Sequence, residues 1–139
     1  KVLSQLLVGV SEELILHEAY SKEWDIDLTN NYIKSATQNY TDFLDEVSTK
    51  QSAVEIMFAM TPCMRLYSWI GKSLSNHVLN NPYKEWIITY SDETFYNLAK
   101  SLEDLIDFSQ EIYDINQANY LYKRAMELEL DFFNAFSNY

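Results

Sequence analysis

The segment A-M-T-P-C-M-R-L-Y, residues 59–67, holds the only cysteine of the chain, Cys63. Pro62 stands directly before it, inside what otherwise reads as a long apolar helix, and Tyr67 follows four residues later. On a helix, positions i and i+4 share a face, so the thiol and the phenol point the same way. A proline there removes one backbone donor and crowds the carbonyl one turn earlier, which predicts a kink. A thiol and a phenol on one wall of a pocket would suit nucleophilic chemistry. Spacing alone equally allows Cys63 to be a small core residue, since free cysteine is among the most buried types. A second grouping lies near the C-terminus, E-L-E-L-D-F-F at residues 127–133. On a helix, Glu129 lies beside Phe132, Phe133 and Phe136. A carboxyl group held against aromatic rings has its neutral form favoured, as a general acid requires. The plainer alternative is a solvated acid at the edge of a core stripe.

Other groupings carry less. His17 sits in E-L-I-L-H and His77 near the end of a helix. No pair of Glu-x-x-His motifs supports a di-iron bundle, and there is no glycine-rich phosphate loop. Neither histidine is assigned a site.

These residues must be positioned by helices. Apolar positions Leu6, Leu7, Val10 and Leu14 recur at helical spacing and predict a helix over 1–23. Thr29, Asn30 and Asn31 offer caps for a second helix over 32–47, with an apolar stripe that includes Ile33, Ala36, Tyr40, Phe43, Leu44 and Val47. Ser48 and Thr49 are expected to break it. A third helix is expected over 51–79, with Pro62 inside it, and N-N-P-Y at 80–83 is a turn. A short helical segment over 83–90 follows. Ser91 is expected to cap a helix over 92–113, and Asn116 one over 117–137.

Composition agrees with an all-α bundle. The 139 residues include only two glycines and two prolines, too few for the turns of a sheet-rich fold. Eleven tyrosines and seven phenylalanines supply apolar area, much of it with a polar tip. The net charge of −11 argues against nucleic acid or an anionic membrane surface as partner. One cysteine excludes an internal disulfide and fits a reducing compartment, so a cytoplasmic location is expected. No apolar run approaches the roughly 20 residues of a membrane span, and no signal peptide is visible. The chain begins at Lys1 with a segment of mid-protein helical character, which is expected of a fragment.

In order, T-P-C-M-R-L-Y-S-W-I-G, Y-K-E-W-I-I-T-Y-S-D-E-T-F and E-L-D-F-F resemble the TenA/thiaminase II family. That family's pattern runs Pro-Cys-x-x-x-Tyr-x-x-x-Gly, then Tyr-x-x-Trp-Ile-x-x-Tyr-x-x-x-x-Phe, then Glu-x-x-Phe-Trp. The segments E-L-I-L-H and Y-T-D-F-L fall where the family has its own helices, so the resemblance covers essentially all of the chain. It implies a haem-oxygenase-like helical bundle, a single TenA-like domain over 1–139, and a homo-oligomer, tetramer or dimer. It also implies hydrolysis of aminomethylpyrimidine, or of thiamine, to hydroxymethylpyrimidine in thiamin salvage, with no metal or organic cofactor. Carried over residue by residue, Cys63 matches the nucleophile and Glu129 the acidic catalytic residue. Tyr40, Tyr67 and Tyr90 match tyrosines that line the pocket, and Phe132 an aromatic that packs on the pyrimidine. Two departures stand out. Phe133 replaces the family's tryptophan, and the chain is expected to lack the family's N-terminal helices, which carry an aspartate that holds the aminopyrimidine. The alternative expectation is a non-catalytic TenA-like binding or regulatory module.

Overall fold

The structure, a computed structural model, describes residues 2–27 and 32–136. The chain falls into two compact units, Lys1–Lys34 and Ser35–Tyr139. Among the described residues every regular element is a helix.

The first unit is built on α1 (Val2–Glu23). Its C-terminus closes through a left-handed residue, Asp25 at φ 53°, which lets the Ile26 amide donate back to the Ser21 carbonyl at 2.7 Å. This satisfies a carbonyl that the helix end would otherwise orphan. The stripe expected to face a core is largely solvent-exposed here, with Leu7 at 69% and Leu14 at 64%. The caps expected at Thr29, Asn30 and Asn31 lie outside the described residues.

The second unit contains α2 (Ser35–Lys50), α3 (Ala53–Leu74), a short 3-10 turn (Ser75–His77), α4 (Lys84–Ser91), α5 (Glu93–Asp107) and α6 (Ile115–Phe136). Helix α3 is the hub: it packs against α2, α4, α5 and α6, while α2 also meets α6 and α4 meets α5. Alanines at the crossings (Ala59, Ala99, Ala118 and Ala125) are fully buried. Their small side chains let the helix backbones approach, and Val47, Leu102, Leu121 and Leu128 fill the space between.

Local chemistry sets the boundaries, and several differ from expectation. Helix α2 does not stop at Ser48. The Ser48 and Thr49 hydroxyls donate back to the Asp45 carbonyl at 2.9 and 3.0 Å, so these residues join the helix instead of breaking it. Helix α3 opens on a capping box: the Glu55 amide donates to the Ser52 hydroxyl, and the Ser52 amide to the Glu55 carboxylate at 3.0 Å. S-x-x-E at 52–55 was the available signal for that start. The helix then runs unbroken through Pro62. It ends at Leu74, earlier than expected. Beyond the 3-10 turn, Asn80 takes a positive φ of 59°, and the Asn81 side chain accepts from the Tyr83 amide at 2.9 Å. Asp92, not Ser91, caps α5 by accepting from the Thr94 amide at 2.7 Å. Asp114, not Asn116, serves the start of α6, accepting from the Asn116 amide at 2.8 Å. In both cases a carboxylate stands near the expected position and is the better acceptor at the positive end of the helix.

Candidate active site

Four helices of the second unit bring the chemistry-bearing residues together. The Tyr40 hydroxyl on α2 donates to Glu129 Oε1 on α6 at 2.7 Å, across 89 residues of sequence. Glu129 is only 1% exposed. Its second oxygen, Oε2, is buried without a hydrogen-bond partner among the described residues. Cys63 on α3 is a half-buried thiol. It lies close enough to Tyr40 that a charge on its sulfur acts on the phenol. The ionisation of Tyr40 is pushed far above its usual range. Burial is the largest cause, followed by the charge of Cys63, then the hydrogen bond to Glu129 and that residue's charge, and last Tyr67. Tyr40 therefore stays protonated and donates to the carboxyl group it holds.

Aromatic rings from four helices line the other side. Tyr67, one turn beyond Cys63 on α3, meets Tyr90 of α4 edge-on at 5.1 Å between centroids. It also meets Trp86 at 5.6 Å and Phe133 at 6.0 Å. Tyr90 is buried and packs in turn on Trp86 and, edge-on at 4.9 Å, on Phe95. Phe132 stacks with Phe133 and Phe136 along α6. Such tilted and edge-on pairs each add about 0.5–1.5 kcal/mol beyond the area they bury. The cluster is thus a stiff wall.

The structure joins Tyr40 to Glu129 by a hydrogen bond, brings Cys63 and Tyr67 near enough to Tyr40 to act on its ionisation, and sets Tyr90 against Tyr67. Phe132 touches the cluster through Phe133. Sequence reasoning placed Phe133 in the aromatic stripe beside Glu129 but did not single out Trp86 as part of this wall. The signal was present: Trp86 lies one turn before Tyr90, on the same face. Arg65, two residues from Cys63, turns to the opposite side of α3. Its guanidinium makes a two-point contact with the Glu103 carboxylate of α5, with Nη2 to Oε2 at 2.6 Å, and lies 5.0 Å from the centre of the Tyr96 ring. It stitches α3 to α5 and contributes no charge to the thiol's side. No group of three or more His, Cys, Asp or Glu side chains among the described residues is placed to hold a metal ion.

The all-α architecture is that of the helical, haem-oxygenase-like fold of the family that the chain matches. The chain belongs to the TENA/THI-4/PQQC family, which it matches over residues 1–139. It is 34% identical over 161 residues to the "Bifunctional TH2 protein, mitochondrial" of Arabidopsis thaliana, covering 96% of this chain and 26% of that protein. It is 31% identical over 104 residues to the "Aminopyrimidine aminohydrolase" of Halalkalibacterium halodurans, covering 68% of this chain and 45% of that one. It is 35% identical over 85 residues to the "Thiamine biosynthesis multifunctional protein ThiED" of Corynebacterium glutamicum, covering 60% of this chain and 10% of that one. The chain therefore spans less than half the length of these relatives.

Proposed function

We propose that the protein is a hydrolase of thiamin salvage that converts aminomethylpyrimidine, or thiamine, to hydroxymethylpyrimidine, with Cys63 as nucleophile and Glu129 as acid. The observation that carries this reading is the Glu129 carboxyl group. One oxygen is locked by Tyr40 and the other is buried without a partner among the described residues, and the one thiol of the chain lies near that same Tyr40. The name of the Halalkalibacterium halodurans relative supports the substrate class.

The residues divide the work as follows. The Cys63 thiolate adds to the electron-poor pyrimidine ring, and the added electron pair then expels the amine from the ring's methylene. Glu129 Oε2 gives the departing amine its proton. Water adds to the methylene carbon and returns a proton to Glu129, and the sulfur leaves as thiolate. The balance is one water consumed and one ammonia released. Tyr40 holds Glu129 in one orientation. Tyr67, Tyr90 and Phe132 confine a flat substrate, so that sulfur and carbon meet without a search.

The match over the whole chain supports reading residues 1–139 as one TenA-like domain. Among the described residues no helix is long and apolar enough to cross a membrane. The single cysteine supports a reducing compartment, which we take to be the cytoplasm. Large apolar side chains left in solvent, among them Trp69 and Leu79, support a homo-oligomer. Light scattering checks it, and a clean monomer at micromolar concentration would count against it.

The direct test of the reaction is incubation with aminomethylpyrimidine, followed by chromatography for hydroxymethylpyrimidine and assay of ammonia. Equal amounts of both are expected. Saturable binding of the pyrimidine with no product would replace this reading with a non-catalytic binding module.

A further inference from the structure

Gly71 is one of two glycines in the chain, and it is buried in α3. Its φ is not positive, so backbone freedom does not explain it. What explains it is proximity. A Cβ at this position would lie 2.5 Å from the carbonyl carbon of Tyr90, 2.7 Å from that carbonyl's oxygen and 2.6 Å from the amide nitrogen of Ser91. All three are backbone atoms, so no side chain can swing aside. The Tyr90–Ser91 peptide is the corner between two helices: α4 ends at Ser91, and Asp92 caps α5. Gly71 is therefore the seat on which the α4–α5 corner rests.

The seat lies on the working side of α3. Cys63, Tyr67 and Gly71 follow at intervals of four residues, a ladder along one stripe of the helix. Tyr90 projects from the seated corner to meet the ring of Tyr67. We propose that Gly71 is a positioning residue: the backbone contact at Gly71 sets Tyr90 against Tyr67 beside Cys63, and ring-on-ring packing follows from it. This inference rests on the reading of the cluster as a catalytic site. Restoring ordinary contact, 3.4 Å or more, after Gly71→Ala requires the corner to move by about 1 Å. A misplacement of that size costs on the order of 10²-fold in rate.

The test places Gly71→Ala in a background carrying Trp24→Phe and Trp69→Phe, so that Trp86 is the one remaining tryptophan. Trp86 touches both tyrosine rings, so its emission reports their placement. The expected result is a shifted Trp86 emission maximum, a kcat on aminomethylpyrimidine lower by about 100-fold, and a KM within about threefold. The companion variant is Phe95→Leu, which removes the ring packed edge-on against Tyr90 but leaves the seat intact. Its Trp86 emission maximum is expected to stay at its parent's, and it decides the matter if Gly71→Ala does not fold. A folded Gly71→Ala with unchanged emission overturns the inference, whether or not the parent turns over the pyrimidine. So does a Phe95→Leu whose Trp86 emission maximum shifts from its parent's, since ring packing would then be what holds Tyr90. If the parent has no turnover, the functional reading fails on its own, and a shifted emission in Gly71→Ala still supports the seat.

Discussion

Replacing Tyr40 with phenylalanine removes one oxygen and little else. In the native protein that oxygen donates to Glu129 Oε1 at 2.7 Å, and Oε2 has no partner among the described residues. Tyr40→Phe therefore leaves a carboxyl group that is 1% exposed with no hydrogen bond at either oxygen. Leaving a buried acceptor unsatisfied costs about 1–3 kcal/mol, so the expected loss at pH 7 is about 2 kcal/mol. For a unit of this size that lowers Tm by roughly 10 °C. The pH dependence separates this cause from a generic packing defect. The ionisation of Tyr40 is pushed up from its usual value of 10.0 when folded, so above pH 10 the unfolded chain releases a proton that the folded chain keeps. The unfolded state then binds fewer protons, and stability falls as pH rises. By pH 11 an ionisation fully blocked in the folded state costs about 1.4 kcal/mol, and the partial exposure of Tyr40 reduces this to about 1 kcal/mol. The variant has no such group. Urea unfolding at pH 7, 9, 10 and 11 should show a gap between wild type and Tyr40→Phe of about 2 kcal/mol up to pH 9, narrowing to about half by pH 11. A variant as stable as wild type at pH 7, or a gap that does not change with pH, would refute the reasoning.

Other outcomes follow from the same site. Cys63→Ser should lower turnover by at least about 10³-fold with Tm within a few degrees of wild type, since sulfur and oxygen differ little in size. Iodoacetamide should inactivate the native protein, and hydroxymethylpyrimidine should slow that inactivation; wild-type turnover in the serine variant would remove Cys63 from the mechanism. Glu129→Gln should lower kcat by about 10²–10⁴-fold while calorimetry shows pyrimidine binding retained, because the amide keeps the shape and the acceptor for Tyr40 but offers no acid. Arg65→Gln should cost about 1 kcal/mol, with the gap shrinking in about 1 M salt and kcat unchanged, because the guanidinium faces Glu103 and away from Cys63.

The sequence disclosed helix number and order, because apolar spacing at a period near 3.6 survives in every element from α2 to α6. It disclosed the helix ends poorly, and the failures share a cause. Ser48 and Thr49 read as breakers, but in the structure their hydroxyls bond back onto the helix. Ser91 and Asn116 read as caps, but carboxylates at Asp92 and Asp114 take the amides. In each case several side chains compete for the same backbone groups, and local geometry chooses among them. Cys63, Tyr67 and Glu129 were legible as types at helical spacing. Their meeting was not, because it depends on how α3 and α6 cross. Glycine at 71 was visible as a letter of a pattern, but its reason, a peptide bond 19 residues downstream pressed onto it, exists only in three dimensions.

Glu129 is the residue that a purely structural account explains least. Its neighbour Leu128 is fully buried on the same helix, so the position could carry an apolar side chain with no loss of packing. A buried polar atom without a partner costs about 1–3 kcal/mol, and a carboxylate costs more. Thr61, equally buried on α3, shows the ordinary remedy, its hydroxyl donating to the Met57 carbonyl at 2.8 Å. Glu129 has that remedy on one oxygen only. Burying Tyr40 to hold it adds a second polar group that must be satisfied, so the pair is a costly way to fill space. The cost becomes intelligible if Oε2 receives its partner from outside the chain. A flat, amine-bearing molecule laid against Tyr67 and Tyr90 would place its amine nitrogen there, to take the proton Oε2 gives, and present a ring carbon to Cys63. The unpaired oxygen, the fixed phenol and the thiol then answer one requirement, where a core-filling account needs a separate excuse for each.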